Sequence, residues 1–452
     1  MKAHETPYVS TTNACKLCKP LGACLAFRGI EGAVPFLHGS QGCATYMRRY
    51  VISHFREPMD IASSSLGEKH AVYGGGPNLK QGLKNVMTKY GAGLIGVAST
   101  CLTETIGDDL PGLVREFRRE LEGPGAPEIV TVSTPSYSGT HMEGFHAAVK
   151  AVVAQLAQGG GASEAVNLLP GLVSPADIRY LKEILADFGM PGIILPDISE
   201  TLDGPAQMDY DRIPAGGTPL NAIRAMGSSR ATLEFGRTLF PEETAGRLLE
   251  ERFQVPCRSL GLPIGLRETD EFFQALAKLA GRASPKGHAQ ERGRLIDAYV
   301  DGHKYIFNKR AVVYGEEDLV VGLVAFLAEI GVRPVLVASG GGSGRLAQAV
   351  AEVTGDLLPE PPLVREGMDF YEIAAEAEAL KPDLLVGHSK GYHLAKRWQA
   401  PLVRVGFPIH DRFGGPRMLH LGYRGAQNLL DRIVNAMIER KQETSRVGYG
   451  YM

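Results

Sequence analysis

The feature that most constrains the fold is a series of short, uninterrupted apolar runs that recurs along the chain. Such runs are typical of strands that are buried on both faces of a parallel sheet. They are Gly93–Ala98, Ile129–Ser133, Val166–Leu169, Gly192–Leu195, Arg310–Tyr314, Pro334–Ala338, Pro382–Val386 and Leu402–Val405. We therefore expect parallel sheets to form the framework of the molecule.

Amphipathic stretches lie between several of these runs, and two of them are Ala176–Phe188 and Leu319–Ile330. In the first stretch Ile178, Leu181 and Leu185 fall near one face of a helix, with charged residues opposite. A glycine follows each stretch, where a helix can end. Strand, helix and strand in this order predict an α/β fold of Rossmann-like units, in which helices flank parallel sheets and ligands bind at the carboxyl ends of strands.

The length of the chain predicts more than one domain. A single hydrophobic core stops growing well below 452 residues, so two or three domains are expected. Two glycine-containing segments, Gln158–Ser163 and Gly281–Gly287, each separate a helix-like stretch from the next element and read as linkers. We predict three Rossmann-like domains, at residues 1–160, 161–285 and 286–452.

Charge and hydropathy exclude several classes of protein. The formal net charge of -2 argues against a general attraction to nucleic acid or to an anionic membrane surface. The chain does not begin with a basic segment followed by an apolar run, and no stretch of about 18 apolar residues occurs. We therefore expect a cytoplasmic protein that neither binds nucleic acid nor spans a membrane.

Three cysteines on separate segments point to a chemical function. Six cysteines in 452 residues are too few for a disulfide framework, and five of them precede position 102. Cys18, Cys43 and Cys101 lie on glycine-flanked or strand-end segments, and thiolates from dispersed loops suit an iron-sulfur cluster. Zinc usually takes compact cysteine pairs, and Cys15 with Cys18 has no second pair at matching spacing. Taken singly, each cysteine could equally be a small buried thiol.

The surroundings of two of these cysteines strengthen the interpretation. Cys43 follows a Gly-Ser-Gln-Gly turn, where the backbone amide of Gly42 could donate a hydrogen bond to cluster sulfur. Cys101 lies just beyond the predicted strand Gly93–Ala98, at the edge where α/β folds bind ligands. Cys24 falls on an apolar, helix-like run and is expected to pack in the core, whereas Cys257 has no evident partner.

Polar residues near these segments have structural explanations as well. We expect hydrogen-bonded packing for three histidines, His38, His54 and His141, and helix capping for three acidic residues, Glu104, Asp108 and Asp109. The glycine-rich segment Ser339–Gly344 lacks the Lys-Ser/Thr of a phosphate loop, so a strand-to-helix turn is expected there rather than a nucleotide site.

Several segments together resemble the β-type subunits of the nitrogenase component 1 family. The resemblance is carried by Cys18–Ala23, His38–Cys43, His54–Pro58, Ser99–Asp109 and Thr134–His141, and further along the chain by Pro196–Gly204, Val405–Pro408 and Gly422–Gly425. It covers essentially the whole chain, and the order of the five N-terminal segments makes it specific.

The resemblance implies a shared electron-transfer centre. Members of this family pair with a homologous α-type subunit in an (αβ)2 heterotetramer, and cysteines of both subunits hold an iron-sulfur cluster at their interface. By motif, Cys18, Cys43 and Cys101 correspond to the β-side ligands, and Ser136 matches a serine that can add an oxygen ligand upon oxidation. Three thiolates from each subunit favour an 8Fe-7S, P-cluster-like centre, while a 4Fe-4S centre is the alternative.

The resemblance leaves two functions open. In the first, a homodimeric ATP-dependent iron protein delivers low-potential electrons through the cluster to a larger iron-sulfur cofactor, held mainly by the α-type partner, for substrate reduction. Methylthio-alkane reductase is one example of such an oxidoreductase, and retention of all three cysteines with Ser136 favours this function. In the second, the chain is an N-type scaffold subunit for biosynthesis of the iron-molybdenum cofactor. Its short N-terminus and its C-terminal segment Gly448–Met452 resemble those of N-type scaffolds. A non-catalytic binding protein with structural cysteines is a remote third alternative.

Overall fold

Three all-parallel sheets flanked by helices form the framework of the computed structural model, which describes residues 13–121, 125–209, 211–240, 242 and 244–445. The predicted α/β fold class is therefore confirmed. None of the helices in these ranges is both long enough and apolar enough to cross a membrane.

The first sheet has the strand order β2-β1-β3-β4. Its elements, with the helices that accompany them, are α1 (Lys19–Arg28), β1 (Ala33–His38), α2 (Gln41–Phe55), β2 (Ala62–Ser63), α3 (His70–Tyr73), α4 (Gly76–Tyr90), β3 (Leu94–Ser99), α5 (Cys101–Ile106), α6 (Leu110–Glu120), β4 (Glu128–Val132) and α7 (His141–Leu156). A short 3-10 helix, Ser136–Ser138, joins β4 to α7.

The second sheet has the order β6-β5-β7-β8 and the third the order β11-β10-β9-β12-β13. The elements of the second are β5 (Val166–Leu169), α8 (Pro175–Asp187), β6 (Gly192–Ile194), α9 (Leu220–Ala225), β7 (Ala231–Phe235), α10 (Ala245–Phe253), β8 (Cys257–Leu260) and α11 (Gly265–Ala280). The elements of the third are α12 (Lys286–Ile306), β9 (Arg310–Gly315), α13 (Glu317–Glu329), β10 (Arg333–Ser339), α14 (Leu346–Thr354), β11 (Leu363–Arg365), α15 (Phe370–Leu380), β12 (Leu384–Gly387), α16 (Tyr392–Trp398), β13 (Leu402–Arg404) and α17 (Gly422–Thr444).

Each sheet takes its strands from one of the three predicted domain intervals. The domain edges themselves stay predictions, and residues 1–12 and 446–452, which include Gly448–Met452, lie outside the described residues. One continuous core of buried side chains contains residues of all three sheets, for example Leu37, Leu168 and Val313. The three units therefore pack directly against one another.

Every predicted strand is present within a residue or two, but five strands were not predicted. They are β1, β2, β7, β8 and β11. β1 contains Pro35, which normally disfavours an interior strand. Proline is tolerated here because β2, on one side of β1, pairs only with Phe36 and Leu37. No strand therefore lies next to Pro35 on the β2 side. In β7 the buried Glu234 interrupts the apolar pattern.

Helix α1 lies at the centre of the first unit and brings Cys18 to its position. Nine of its ten residues are buried, which explains why its sequence is apolar on all sides. It packs closely against α7. A methyl group on Gly22 would lie 1.7 Å from the carbonyl oxygen of His141, and one on Gly144 would lie 1.8 Å from that of Lys19. Only glycine permits this approach of the two backbones.

Candidate metal centre

The segments that carry the site leave the first sheet at a single edge. β1, β3 and β4 run parallel and in register, with His38 opposite Ser99 at the carboxyl ends of β1 and β3. Cys43 follows β1, Cys101 follows β3, and Ser136 follows β4. Sheet geometry therefore brings together residues that are widely separated in the sequence, at the edge where parallel sheets commonly bind ligands.

All three predicted cysteines lie at helix starts. Cys18 is the N-cap residue of α1, Cys43 is in the first turn of α2, and Cys101 is the first residue of α5. Backbone N–H groups without helical partners lie at such positions and can donate hydrogen bonds to an anionic group such as a bound cluster. Cysteine ligates iron as the thiolate.

The three thiols lie close enough to influence one another electrostatically. The pKa of the Cys43 thiol is raised, chiefly by burial and further by the charges of Cys18 and Cys101, while a hydrogen bond from Ser40 opposes the rise. All three cysteines are free and half-buried, so part of each side chain remains open to a partner. The structure therefore brings together the cysteines that the sequence singled out.

Ser136 contacts this group through its backbone. Its N–H donates a hydrogen bond to the Cys101 sulfur at 3.2 Å. The sequence drew attention to the hydroxyl of Ser136 as a possible oxygen ligand, but it gave no sign of the amide contact, which depends on the turn between β4 and α7. Hydrogen bonds from backbone amides to cysteine sulfur stabilise the thiolate and shift the potential of a bound cluster.

Gly42 lies in the first turn of α2, next to Cys43. A methyl group added there would meet only the Ser40 hydroxyl oxygen, at 3.6 Å, so packing does not require glycine at this position. The sulfur-binding role of its amide stays a prediction. Two other glycine amides of the region are engaged within the protein, because Gly39 donates to the Ser64 hydroxyl and Gly75 donates to the Asp108 carboxylate.

The acidic residues after Cys101 have three different roles. Asp109 caps α6 by accepting from the Gly112 amide, which confirms the prediction of helix capping for this residue. The same prediction was wrong for Glu104, which accepts from the hydroxyls of Ser99 and Ser133. Asp108 accepts from the amide of Gly75, the N-cap residue of α4, and also lies 3.0 Å from the ring of His38, so it binds a helix start as well as a histidine.

His38 is held in a fully satisfied network. Its ring nitrogens lie 3.0 Å from the Ser64 hydroxyl and 3.0 Å from the Asp108 carboxylate. Its pKa is lowered, because burial outweighs the attraction of Asp108. The expected hydrogen-bonded packing is thus confirmed for His38. It is confirmed for His54 too, whose Nδ1 accepts from the Ile409 amide at 2.8 Å.

His141 departs from this expectation. Its Nδ1 is buried without a hydrogen-bond partner among the described residues, because the ring faces a cavity rather than a polar side chain. This cavity lies where the carboxyl edges of the sheets meet. Its volume, including the open entrance, is about 680 Å³. His54, His388 and Asp177 also line it. Within the described ranges, no three histidine, cysteine or acidic side chains converge to hold a single metal ion.

The other cysteines have separate surroundings. Cys15 is buried against the third unit, with its sulfur 3.9 Å from Nε2 of His388, and burial raises its pKa to about 12. It is therefore a neutral thiol whose environment differs from that of Cys18. Cys24 is completely buried in α1, which confirms its expected role in packing. Cys257 lies in β8, far along the chain from the other five.

The glycine-rich segment after β10 is a strand-to-helix turn, as predicted. Its amides bind carboxylates of the protein itself. Ser343 donates to Glu317 at 3.2 Å, and Gly344 donates to Glu366 at 2.8 Å.

Sequence reasoning missed one group near the cysteines. Lys390 follows β12 of the third unit, yet its ammonium group hydrogen-bonds to the Ala14 carbonyl at 3.0 Å, close to Cys15 and Cys18. Its position just beyond a predicted strand was a usable signal, since such positions form ligand-binding edges. What the sequence does not show is that the edge of the third sheet faces the edge of the first.

These features define an α/β protein of three parallel sheets with a group of half-exposed thiols at one sheet edge. Comparison with known proteins makes the assignment specific, because the profile of the nitrogenase component 1 type oxidoreductases matches residues 18–438. This chain belongs to that family.

Its relatives include nitrogenase β chains. The chain is 34% identical over 429 residues to the nitrogenase molybdenum-iron protein beta chain of Clostridium pasteurianum. This alignment covers 95% of this chain and 93% of the relative. It is 36% identical over 437 residues to the nitrogenase vanadium-iron protein beta chain of Trichormus variabilis, with 93% and 92% covered. A chain of the solved structure "Nitrogenase Cp1 at pH 6.5" superimposes with a TM-score of 0.95 at 33% identity, covering 99% of this chain and 98% of that one.

Proposed function

We propose that this chain is the β-type subunit of a nitrogenase-like (αβ)2 oxidoreductase. In this role it holds one side of an iron-sulfur cluster at the interface with an α-type subunit. An ATP-dependent iron protein supplies low-potential electrons, which pass through the cluster to a larger cofactor held mainly by the α-type subunit, where a substrate such as a methylthio-alkane is reduced. Membership of the component 1 family and homology to nitrogenase β chains support this assignment.

The observation that carries the proposal is the convergence of Cys18, Cys43 and Cys101 at one sheet edge. These thiols are half-exposed, and the charges of Cys18 and Cys101 add to the effect of burial in raising the pKa of Cys43. Three thiolates are one fewer than the four cysteines that commonly hold an iron-sulfur cluster, which supports ligands from a second subunit. A site that is half-exposed in one chain and incomplete without another is what a shared cluster requires.

Exposed aromatic and aliphatic side chains next to the thiols support a partner surface there. Tyr46 on α2 is 53% exposed and Tyr137, beside Ser136, is 69% exposed. Val72 and Tyr73 on α3, which packs against α5, are exposed to 77% and 85%. Tyrosine is enriched at protein interfaces, and exposed apolar groups around a polar site are typical of a surface that another subunit covers.

The residues of this chain fit one half of an 8Fe-7S centre. Cys18, Cys43 and Cys101 would ligate iron, the Ser136 amide would stabilise the Cys101 thiolate, and the Ser136 hydroxyl would serve as an additional ligand upon oxidation. When bound, the cluster supplies reversible electron transfer at low potential. The protein's part is to position the thiolates and to set their electrostatic surroundings.

The cluster assignment is tested by replacing one thiol in the purified complex. We expect Cys43→Ala to lower the iron content and to change the electron paramagnetic resonance spectrum. Cys257→Ala is the matched control, since this half-buried cysteine lies in the second unit and should leave both unchanged. Full iron content and an unaltered spectrum in Cys43→Ala would remove Cys43 from the ligand set. Iron quantification of a complex prepared without the larger cofactor separates 8Fe-7S from 4Fe-4S.

The reductase assignment is tested by turnover. The complex of this chain with its α-type subunit, supplied with iron protein and ATP, should reduce at least one of acetylene, dinitrogen and methylthio-alkanes, and omission of the iron protein should abolish the reaction. Failure with all three substrates, together with transfer of a mature cofactor to cofactor-free nitrogenase, would instead establish a scaffold for cofactor assembly. The electron paramagnetic resonance spectrum of the same preparation shows whether the interface cluster was present.

A further inference from the structure

Lys390 extends from the third unit to the segment that carries Cys18. It lies in the short 3-10 helix Ser389–Gly391, directly after the carboxyl end of β12. Its ammonium nitrogen donates to the Ala14 carbonyl at 3.0 Å and lies 5.5 Å from the centre of the Tyr50 ring on α2. A group of the third sheet thus lies between the two segments that bear Cys18 and Cys43.

The segment before Cys18 is held against the third unit by other bonds as well. The Asn13 amide side chain donates to the Lys390 carbonyl at 3.2 Å, and the Phe370 amide donates to the Asn13 carbonyl at 3.3 Å. An isolated antiparallel bridge joins Ala14 to Asp369. The position of this segment therefore does not depend on the lysine side chain alone.

Lys390 has no ion-pair partner among the described residues. Its side chain is partly buried, and among the residues that the structure describes no carboxylate lies within ion-pair distance of its ammonium group. Cys15 is a neutral thiol at physiological pH, because burial raises its pKa to about 12. Burial lowers the pKa of Lys390, whereas the Cys15 and Cys18 thiols raise it, which places both sulfurs within electrostatic range.

A partly buried cation is costly unless an anion compensates it. Cys18 would bring lasting negative charge near the ammonium group, as a thiolate bound to an anionic cluster. This step rests on the proposed function. We propose that Lys390 is the counter-charge that this chain places beside the Cys18 side of the interface cluster, and that its ammonium group favours the reduced form of the cluster.

The physical reason is the sign of the charge change. Reduction adds one electron to the cluster, and a fixed positive charge nearby stabilises the more negative state. Net charge and hydrogen bonds around the sulfurs are the means by which proteins adjust cluster potentials. Lys390 acts through Cys18 and is therefore a positioning residue rather than a catalytic one.

A redox titration of the purified complex, followed by electron paramagnetic resonance, tests the proposal. Lys390→Met should retain iron but shift the midpoint to lower potential, with the ratio of reduced to oxidised cluster falling about tenfold at the wild-type midpoint when one unit charge is removed. Lys390→Arg should restore the midpoint. Asn13→Ala breaks a bond of the same segment without removing charge, so its midpoint should match that of the wild type.

Two results would overturn the proposal. The first is an unchanged midpoint in a fully iron-loaded Lys390→Met complex. The second is equal loss of iron from Lys390→Met and Lys390→Arg, which would assign the lysine a purely structural role. If Lys390→Met alone fails to assemble, Lys390→Gln, which keeps a donor for the Ala14 carbonyl, gives the decisive midpoint. Absence of iron from the wild-type complex would contradict the proposed function itself and is thereby distinguishable.

Discussion

The backbone amide of Ser136 donates to the Cys101 sulfur, and its hydroxyl is a predicted oxygen ligand; single substitutions can separate the two groups. Ser136→Ala removes the hydroxyl but keeps the amide that donates to Cys101. Ser136→Pro removes the amide hydrogen, and the backbone tolerates proline there because the preceding Pro135 has a ψ of 130°, in the extended region that residues before proline adopt. The pair therefore tests whether the amide or the hydroxyl matters to the reduced centre.

We expect Ser136→Ala to keep the iron content and the reduced-state spectrum of the wild type, with changes confined to the oxidised state. Ser136→Pro should lower the iron content, because a hydrogen bond to a charged sulfur contributes about 1.5–3 kcal/mol. Iron analysis and electron paramagnetic resonance of both variants check this. A wild-type result for the proline variant would show that the amide contact does not stabilise the centre.

The packing of α1 on α7 is the contact between elements on which the site most depends. α1 begins at Cys18, and α7 follows the turn that contains Ser136, so the distance between the two helices sets the distance between these residues. At their crossing, Gly22 and Gly144 let each backbone approach the other. A methyl group at either position would overlap a carbonyl oxygen, and backbone cannot yield as a flexible side chain can.

Gly144→Ala should therefore separate α1 from α7 and displace Cys18. We expect lower iron content and a thermal midpoint several degrees below that of the wild type, since overpacking of a core typically costs about 1–3 kcal/mol. Gly293→Ala is the matched control, because no atom lies within 4 Å of a methyl group there in the middle of α12. It should leave iron content unchanged and keep or slightly raise the midpoint. Equal behaviour of the two variants would exclude close packing as the reason for Gly144.

The same elements show how far sequence can predict this molecule. Apolar runs such as Val166–Leu169 are visible because both faces of their strands are buried. β7 was missed because Glu234 is buried among apolar neighbours, which a hydropathy pattern does not anticipate. The three cysteines were predicted from their segments; sheet register brings the segments of Cys43 and Cys101 to one edge, and α1 positions Cys18. Lys390 was not, since its contact spans 376 residues and depends on the packing of one unit on another.

At the scale of the whole molecule, the cavity between the sheets combines apolar walls with buried histidines. His54 lies on α2, His141 starts α7, and His388 follows β12. Burial lowers the pKa of His54 to about 3, that of His141 to about 4 and that of His388 to about 3. All three rings are therefore neutral in the folded protein at physiological pH. The three units pack around them in this neutral form.

This arrangement predicts loss of stability in acid. A histidine has a pKa near 6.5 in the unfolded chain, so below that pH the unfolded state binds protons that the folded state excludes. The contribution of these histidines to the free energy of unfolding is therefore fully present above pH 6.5. It falls as the pH drops toward 4, by up to about 1.4 kcal/mol per pH unit for each histidine. The thermal midpoint of the purified complex, measured between pH 7.5 and 4.5, should decrease steadily over this range.

Substitution of one of these histidines identifies the source of the effect. His54→Asn keeps an acceptor for the Ile409 amide but cannot take up a proton, so its midpoint should be lower at pH 7.5 yet depend less on pH than that of the wild type. His393→Asn, at an exposed position, should follow the wild-type curve at every pH. A wild-type pH dependence in His54→Asn would show that this ring is not excluded from protonation. The acid sensitivity would then come from other groups, and His141 and His388, which line the same cavity, are the next to substitute.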